Sequence, residues 1–408
     1  MAPSGDLLLR NVRPWPREPG GPVLDVLVTA GRVAAVGAAL DAPPSTPVAD
    51  GRGGVLLPAL ADVHAHLDST RLGLPFRPHT AEPGLAGLVE NDRRNWRRAE
   101  RSVAERATYT LGRTVASGAT RIRSHAQVDT DSGLERLEGV LAAREAHATA
   151  AHVEVVAFPQ RGILRDPGTA DLLEGALLAG ADLVGGLDPC AFDRDPLRHL
   201  DVVFGLADRH RRGVDLHLHE AGELGAFTIE LVCERVAALG MQGRVTISHA
   251  FALSGVAASR QAGLVEMLAG TDTAVTTVAP GVPDPLPLEA LRSVGVRVGL
   301  GQDGIRDYWS PYGDGDVLGR AWQLAYRSGY RRDDLVEACV EVASLGGAAV
   351  LGRSLPGRGV EVGAPADLVV VPGDTVTAAV MDRAPRTLVV HEGRVVARDG
   401  ELAPSGVR

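Results

Sequence analysis

From residue 54 to residue 303 the chain repeats one pattern eight times: a short, almost unbroken apolar run, then a stretch whose apolar positions recur at helical spacing. The runs are VLLPALADVHAH (55–66), ATRIRSH (119–125), HVEVVAF (152–158), ADLVGGLD (181–188), VDLHLHE (214–220), RVTISHA (244–250), TAVTTVA (273–279) and VRVGLGQD (296–303). Segments such as SVAERATYTLGRTVAS, LERLEGVLAAREAHA, FTIELVCERVAALG and LPLEALRSVG separate them. Continuous apolar strands joined by helices predict an α/β fold with a parallel sheet, and eight such units predict a (β/α)8 TIM barrel. Both ends of the chain differ from this. They carry short β-like runs broken by Pro and Gly, and GRVAAVG near the start resembles GRVVARDG near the end, so the two termini are expected to form one small β-unit.

In such barrels the chemistry sits at the C-terminal ends of the strands, and the polar residues of this chain fall there. The first run ends in His64 and His66, the second in His125, the fifth in His217, His219 and Glu220, the sixth in His249 and the eighth in Asp303. Alternation along a strand points His64 and His66 to the same side, as two ligands of one ion require. Imidazoles and a carboxylate from separate strands suit one divalent metal ion, Zn or Fe. Such an ion lowers the pKa of a bound water towards ~7. In that setting Asp303 is placed to accept the water's proton, Glu220 to carry a proton to the leaving group, and His249 to stabilise a developing oxyanion. The spacing leaves open whether His217 or His219 is the ligand on the fifth strand.

Composition narrows the function. A net charge of -9 over 408 residues argues against nucleic-acid binding, and RRNWRRAER (93–101) reads as a solvated helix face. No apolar run has the length of a membrane span, and the first residues lack the features of a signal peptide. The three cysteines, Cys190, Cys233 and Cys339, form no CxxC, so a cytoplasmic location is expected. All 42 basic residues are arginine. Without lysine there is no Schiff base, no P-loop lysine and no carbamylated lysine bridging two metals.

On these residues the chain resembles the amidohydrolase superfamily. It is similar to the cytosine deaminase branch in HxHLD (64–68), VVAFPQxGIL (155–164), HxxE (217–220) and SH (248–249). It is also similar to the N-isopropylammelide amidohydrolases in DLVGGxDP (182–189), GRVTxSHA (243–250) and DxIRDxWxPxGxGD (303–316). The resemblance implies a barrel over residues 58–355 and a small β-sandwich composed of residues 1–57 and 356–408. It implies one metal held by His64, His66, His217 and Asp303, proton transfer by Glu220, and binding of the amide-like edge of a ring by Gln160. His219 and His125 then become pocket or supporting residues. Trp309, in the aromatic loop RDYWSPYGDGD (306–316), is the candidate for stacking on a planar ring.

Two departures bear on the substrate. Bacterial cytosine deaminases carry HDD at the end of strand eight, where this chain has Gln302, Asp303 and Gly304, which suggests a roomier or differently polar pocket. Triazine relatives place a lysine after the first motif, where Ser69, Thr70 and Arg71 stand here. The expected function is a metal-dependent aminohydrolase that cleaves a C–N bond of a small nitrogen heterocycle, such as a cytosine-like pyrimidine, releasing ammonia or a small amine. The alternatives are an N-alkylaminotriazine amidohydrolase and a ring-opening cyclic amidohydrolase of the dihydroorotase or hydantoinase type. Homo-oligomer formation is left open. His79, His147, His199, His210 and His391, on predicted helices or loops, are expected at the surface.

Overall fold

The computed structural model describes residues 5–15, 21–281 and 284–404; the remaining parts of the terminal ranges lie outside it. All eight apolar runs contribute strands: β1 (Leu60–His66), β2 (Ala119–Gln127), β3 (His152–Phe158), β4 (Leu183–Leu187), β5 (Gly213–Leu218), β6 (Val245–His249), β7 (Ala274–Thr277) and β8 (Val298–Leu300). Each pairs in parallel with the next, so chain order is also spatial order. Just past β8, Asp303 and Gly304 pair in parallel with Ala65 and His66 of β1. The sheet therefore curls until the end of its last strand lies on its first. Gly301 permits that approach, because a Cβ there would lie 2.6 Å from the Cβ and the carbonyl oxygen of His64.

The intervening segments form helices where the apolar spacing places them. Val103–Ala116 begins with a capping box: the Ser102 hydroxyl accepts from Glu105 N at 3.3 Å, and Ser102 N donates to Glu105 Oε2 at 2.9 Å. The basic stretch at 93–101 lies on a helix end, with Arg93 and Arg94 paired to Glu90 and Arg97 to Asp131, while Trp96 is buried. Among the described residues, no helix is long and apolar enough to cross a membrane.

The first apolar run divides between two sheets. Val55–Pro58 pairs antiparallel with Leu368–Val371, whereas β1 starts at Leu60. Pro58 has no N–H to extend a ladder, and Ala59 N donates to Asp367 O at 2.8 Å while Leu60 N donates to Gly118 O at 2.9 Å. The strands of both termini join one sheet of nine, with eight in the order Glu401–Leu402, Arg394–Arg398, Leu388–His391, Leu368–Val371, Val55–Pro58, Leu7–Pro14, Leu24–Thr29 and Arg32–Gly37, and Val48–Asp50 paired beside Leu7–Pro14. Strand alternation gives this sheet two apolar faces. Leu56, Leu368 and Val370 enter a core made by the terminal strands, and Val55, Leu57, Val369 and Val371 enter the large core of the parallel sheet and its helices.

A buried ion pair fastens the two parts. Arg121 of β2 reaches Asp367 Oδ2 at 2.5 Å, and His391 Nδ1 lies 2.8 Å from Asp367 Oδ1. Burial pushes the Asp367 carboxyl up, but His391 and Arg121 outweigh it and hold the group at about 2. A depressed carboxyl contributes stability above its unfolded pKa of ~3.9 and loses it as pH falls through the folded value. Melting temperature should therefore fall between pH ~4 and ~2 in part through this residue. Asp367→Ala should cost roughly 3–5 kcal/mol at neutral pH by stranding Arg121 and should flatten that acid limb, as thermal scans against pH would show.

Candidate active site

Alternation along β1 turns Asp62, His64 and His66 to one side, and the same rule aligns Arg123 with His125, Asp215 with His217, and Thr246 with Ser248. At the C-terminal rim these faces converge. His66 Nε2 lies 3.3 Å from Asp303 Oδ1, His64 Nε2 lies 3.7 Å from the same oxygen, and His217 Nε2 lies 3.3 Å from His66 Nε2. Donor atoms of His64, His66 and Asp303 lie within 4.8 Å of one another, and so do those of His64, His217 and His249. His64 is fully buried and its Nε2 has no hydrogen-bond partner. A buried lone pair without a partner, facing a carboxylate and two further imidazoles, is the arrangement a divalent cation completes. This donor set of nitrogen and oxygen fits a Zn- or Fe-type ion.

Electrostatics agree with that arrangement. Burial holds His64, His125 and His217 well below the ordinary imidazole value, so they are neutral, as ligating or packing rings must be. Burial works against the charge of Asp303, but His66, His249 and His64 outweigh it and keep the carboxyl well below its usual range. His66 is raised, because its hydrogen bond to Asp303 overcomes the cost of burial. His249 is pushed down to about 3 by burial and by His219. Asp303 and His249 have φ values of 65° and 70°, the left-handed backbone that non-glycine residues adopt only where the surroundings impose it.

The other residues expected in the site differ in their surroundings. His219 lies just beyond β5, donates N–H to Asp188 Oδ1 at 2.6 Å, and holds its Nδ1 2.9 Å from Asp188 Oδ2. Its ring centroid is 4.2 Å from that of His249, so the two rings pack against each other. Glu220 is buried, with Oε1 accepting from Cys190 N at 2.7 Å and Ala191 N at 2.8 Å and Oε2 from the Thr228 hydroxyl at 2.5 Å. Burial raises its carboxyl despite these donors. Gln160 is buried at the end of β3 with its Nε2 unpartnered, and Trp309 is half-buried in a loop where its N–H donates to Asp307 Oδ1 at 2.8 Å. His125 is not at the mouth: it is fully buried against the rings of His64, His66 and His217.

Several further side chains support the cluster. Phe158 stacks on His217 with centroids 4.0 Å apart, and Asp62 Oδ1 accepts from Gln302 N at 3.0 Å, tying β1 to the residue before Asp303. Burial pushes Asp62 up to about 7. Charged residues at even offsets from the histidines inside apolar runs were the available signal for Asp62, Arg123 and Asp215. Three histidines expected at the surface are buried: His199 against Asp193, His147 against Thr108 O and His391 against Asp367.

The two departures also take a physical form. A Cβ on residue 304 would collide with Asp307 Oδ2, so the space a second aspartate would need is filled by the Asp307 carboxylate rather than left as room. In the segment after the first motif, Arg71 reaches Tyr308 Oη at 3.1 Å and Glu100 at 3.0 Å, and Thr70 donates to Ile305 O at 2.8 Å. Beside them a cavity of about 290 Å³ opens, lined by Phe76, Arg77, His79, Arg306, Asp307 and Tyr308 among others.

Comparison with known proteins gives the same lineage. The pattern of the amidohydrolase family matches residues 82–397. The N-isopropylammelide isopropyl amidohydrolase of Pseudomonas sp. (strain ADP) is 28% identical over 407 residues, covering 98% of this chain and 99% of that protein. The crystal structure of N-isopropylammelide isopropylaminohydrolase from Burkholderia multivorans ATCC 17616 superposes with a TM-score of 0.90 at 43% identity, over 98% of this chain and 100% of that one. The 5-methylcytosine deaminase from Klebsiella pneumoniae, liganded with 5-fluorocytosine, shares the fold with a TM-score of 0.79 at 23% identity, over 98% and 99% of the two chains. With the family pattern spanning most of its length, the chain belongs to the amidohydrolase family and is an enzyme acting on carbon–nitrogen bonds.

Proposed function

We propose that this enzyme hydrolyses the bond between an sp2 ring carbon and an exocyclic amino or alkylamino nitrogen of a small nitrogen heterocycle, an aminotriazine or a cytosine-like pyrimidine. The observation that carries the reading is the meeting of His64, His66, His217 and Asp303 around the unpartnered His64 Nε2. These four would hold one divalent ion, Zn or Fe. When bound, such an ion supplies Lewis acidity and brings the pKa of water towards ~7. The fold behind it is read as a (β/α)8 barrel over residues 58–355, with the terminal ranges 1–57 and 356–408 as a small sandwich beside it. The separate apolar core of the terminal strands supports that division.

Within this reading each side chain has a defined task. Asp303, ionised at working pH, accepts the proton of the attacking water. His249, neutral because its pKa is about 3, donates a hydrogen bond to the ring atom that gains negative charge. Glu220, raised by burial, gives its proton to the ring, takes up the water proton held by Asp303 and passes it to the departing amine, and is restored by the proton of the added hydroxyl. The amide of Gln160 pairs with the polar edge of the ring, and Trp309 covers its face. Three unpaired cysteines accord with a reducing compartment.

Glu220→Gln tests the proton transfer separately from the fold. Glutamine keeps an oxygen for Cys190 N and Ala191 N, so stability should stay near wild type while turnover falls roughly 10²-fold. The function itself is tested by loading the protein with Zn or Fe and screening for ammonia or amine release. The panel comprises cytosine, 5-methylcytosine, isocytosine, creatinine and N-alkylated aminotriazines including N-isopropylammelide. Release from a member of the panel supports the reading. Ring opening without release overturns it in favour of a cyclic amidohydrolase.

A further inference from the structure

We propose that Ser248, backed by Asp215, is a positioning residue that fixes His64 in the one tautomer able to present Nε2 to a metal. The argument rests on counting protons. The Ser248 hydroxyl has one proton and two lone pairs. Its oxygen lies 2.6 Å from Asp215 Oδ1, 2.8 Å from the Thr276 hydroxyl and 2.9 Å from His64 Nδ1. Asp215 Oδ2 is 2.9 Å from the Arg123 guanidinium, so this carboxylate acts as an acceptor and takes the serine proton. Thr276 donates to one serine lone pair. The remaining lone pair is left for His64, whose Nδ1 must therefore carry a hydrogen. Its Nε2 is then the unprotonated nitrogen, and that is the buried, unpartnered atom 3.7 Å from Asp303 Oδ1.

The device extends across five strands, β2, β3, β5, β6 and, through Thr276, β7. Arg123 of β2 is itself held by Glu154 of β3 at 2.9 Å and by the Thr246 hydroxyl of β6 at 3.0 Å, and Asp215 is on β5. Ser248, Asp215, Arg123 and Thr276 are all buried, so water does not compete for these bonds. A buried ring without such a partner would divide between two tautomers, and only one has the lone pair where the other donors converge.

This inference rests on the metal-site reading, and its test reads metal affinity and tautomer rather than turnover. Zn affinity of the full chain is measured by chelator competition for wild type, Ser248→Ala and Ser248→Thr. The expected result is a loss of roughly 10–100-fold in Ser248→Ala, with affinity recovered in Ser248→Thr, which keeps the hydroxyl. Equal affinity in wild type and Ser248→Ala overturns the assignment of Ser248. Absence of Zn binding in wild type overturns the metal-site reading on which it depends. A measurement without substitution keeps the idea falsifiable if a variant does not fold. NMR of wild-type, metal-free protein with nitrogen-labelled histidine should show His64 protonated at Nδ1 and bare at Nε2, and the opposite tautomer would refute the proposal.

Discussion

Asp303→Asn is expected to lower turnover roughly 10³–10⁴-fold and to weaken metal binding, while leaving the fold intact. The residue is the common neighbour of His64 and His66; its charge is what raises His66, while its backbone pairs with Ala65 of β1. Asparagine keeps the shape and the left-handed backbone at φ 65°, which aspartate and asparagine tolerate better than most residues. It removes the negative charge and, with it, the acceptor proposed for the water's proton. Metal content after dialysis and single-turnover rates at saturating metal separate the two losses. Because Asp303 stays ionised well below its ordinary range, it should contribute no acidic limb to the wild-type rate profile between pH 5 and 8, within the usual working range.

His249→Ala should cost roughly 10²–10³ in kcat, with metal content unchanged. His249 sits within 4.8 Å of donor atoms of His64 and His217, so geometry alone would also allow it as a ligand. The two roles give opposite metal readings. A ligand's removal would lower metal content, whereas removal of a hydrogen-bond donor facing substrate lowers turnover only. Both ring nitrogens are buried and unpartnered in this structure, which leaves them free to meet a substrate atom. Since its pKa is about 3, the rate should show no limb from His249 above pH ~4.

Much of this architecture is legible in the sequence. The eight apolar runs became eight successive parallel strands because nearly continuous Val, Leu and Ala can be buried on both faces only in such a sheet. The histidines at the strand ends converged because parallel strands all present their C-terminal ends to the same rim. Less legible was everything that depends on register or on a chain crossing between sheets. The run 55–66 carries no break in hydrophobicity where Ala59 passes from one sheet to the other; only Pro58 marks it. His125 and His66 both end apolar runs of the sequence, yet one is sealed against the rings of His64 and His217 and the other reaches Asp303, a difference of depth that periodicity does not encode. Gly304 read as space, but space depends on what a neighbour puts there, and Asp307 fills it.

The most direct measurement is the fate of the C–N bond and of the water that breaks it. Metal-loaded protein is incubated with N-isopropylammelide and with 5-methylcytosine in water enriched in heavy oxygen, and the products are resolved by mass spectrometry. The account predicts amine or ammonia equal to the substrate consumed, from at least one of the two, and an intact ring carrying one heavy oxygen at the former C–N carbon. An opened ring with its nitrogen retained, or a product without heavy oxygen at that carbon, would contradict it.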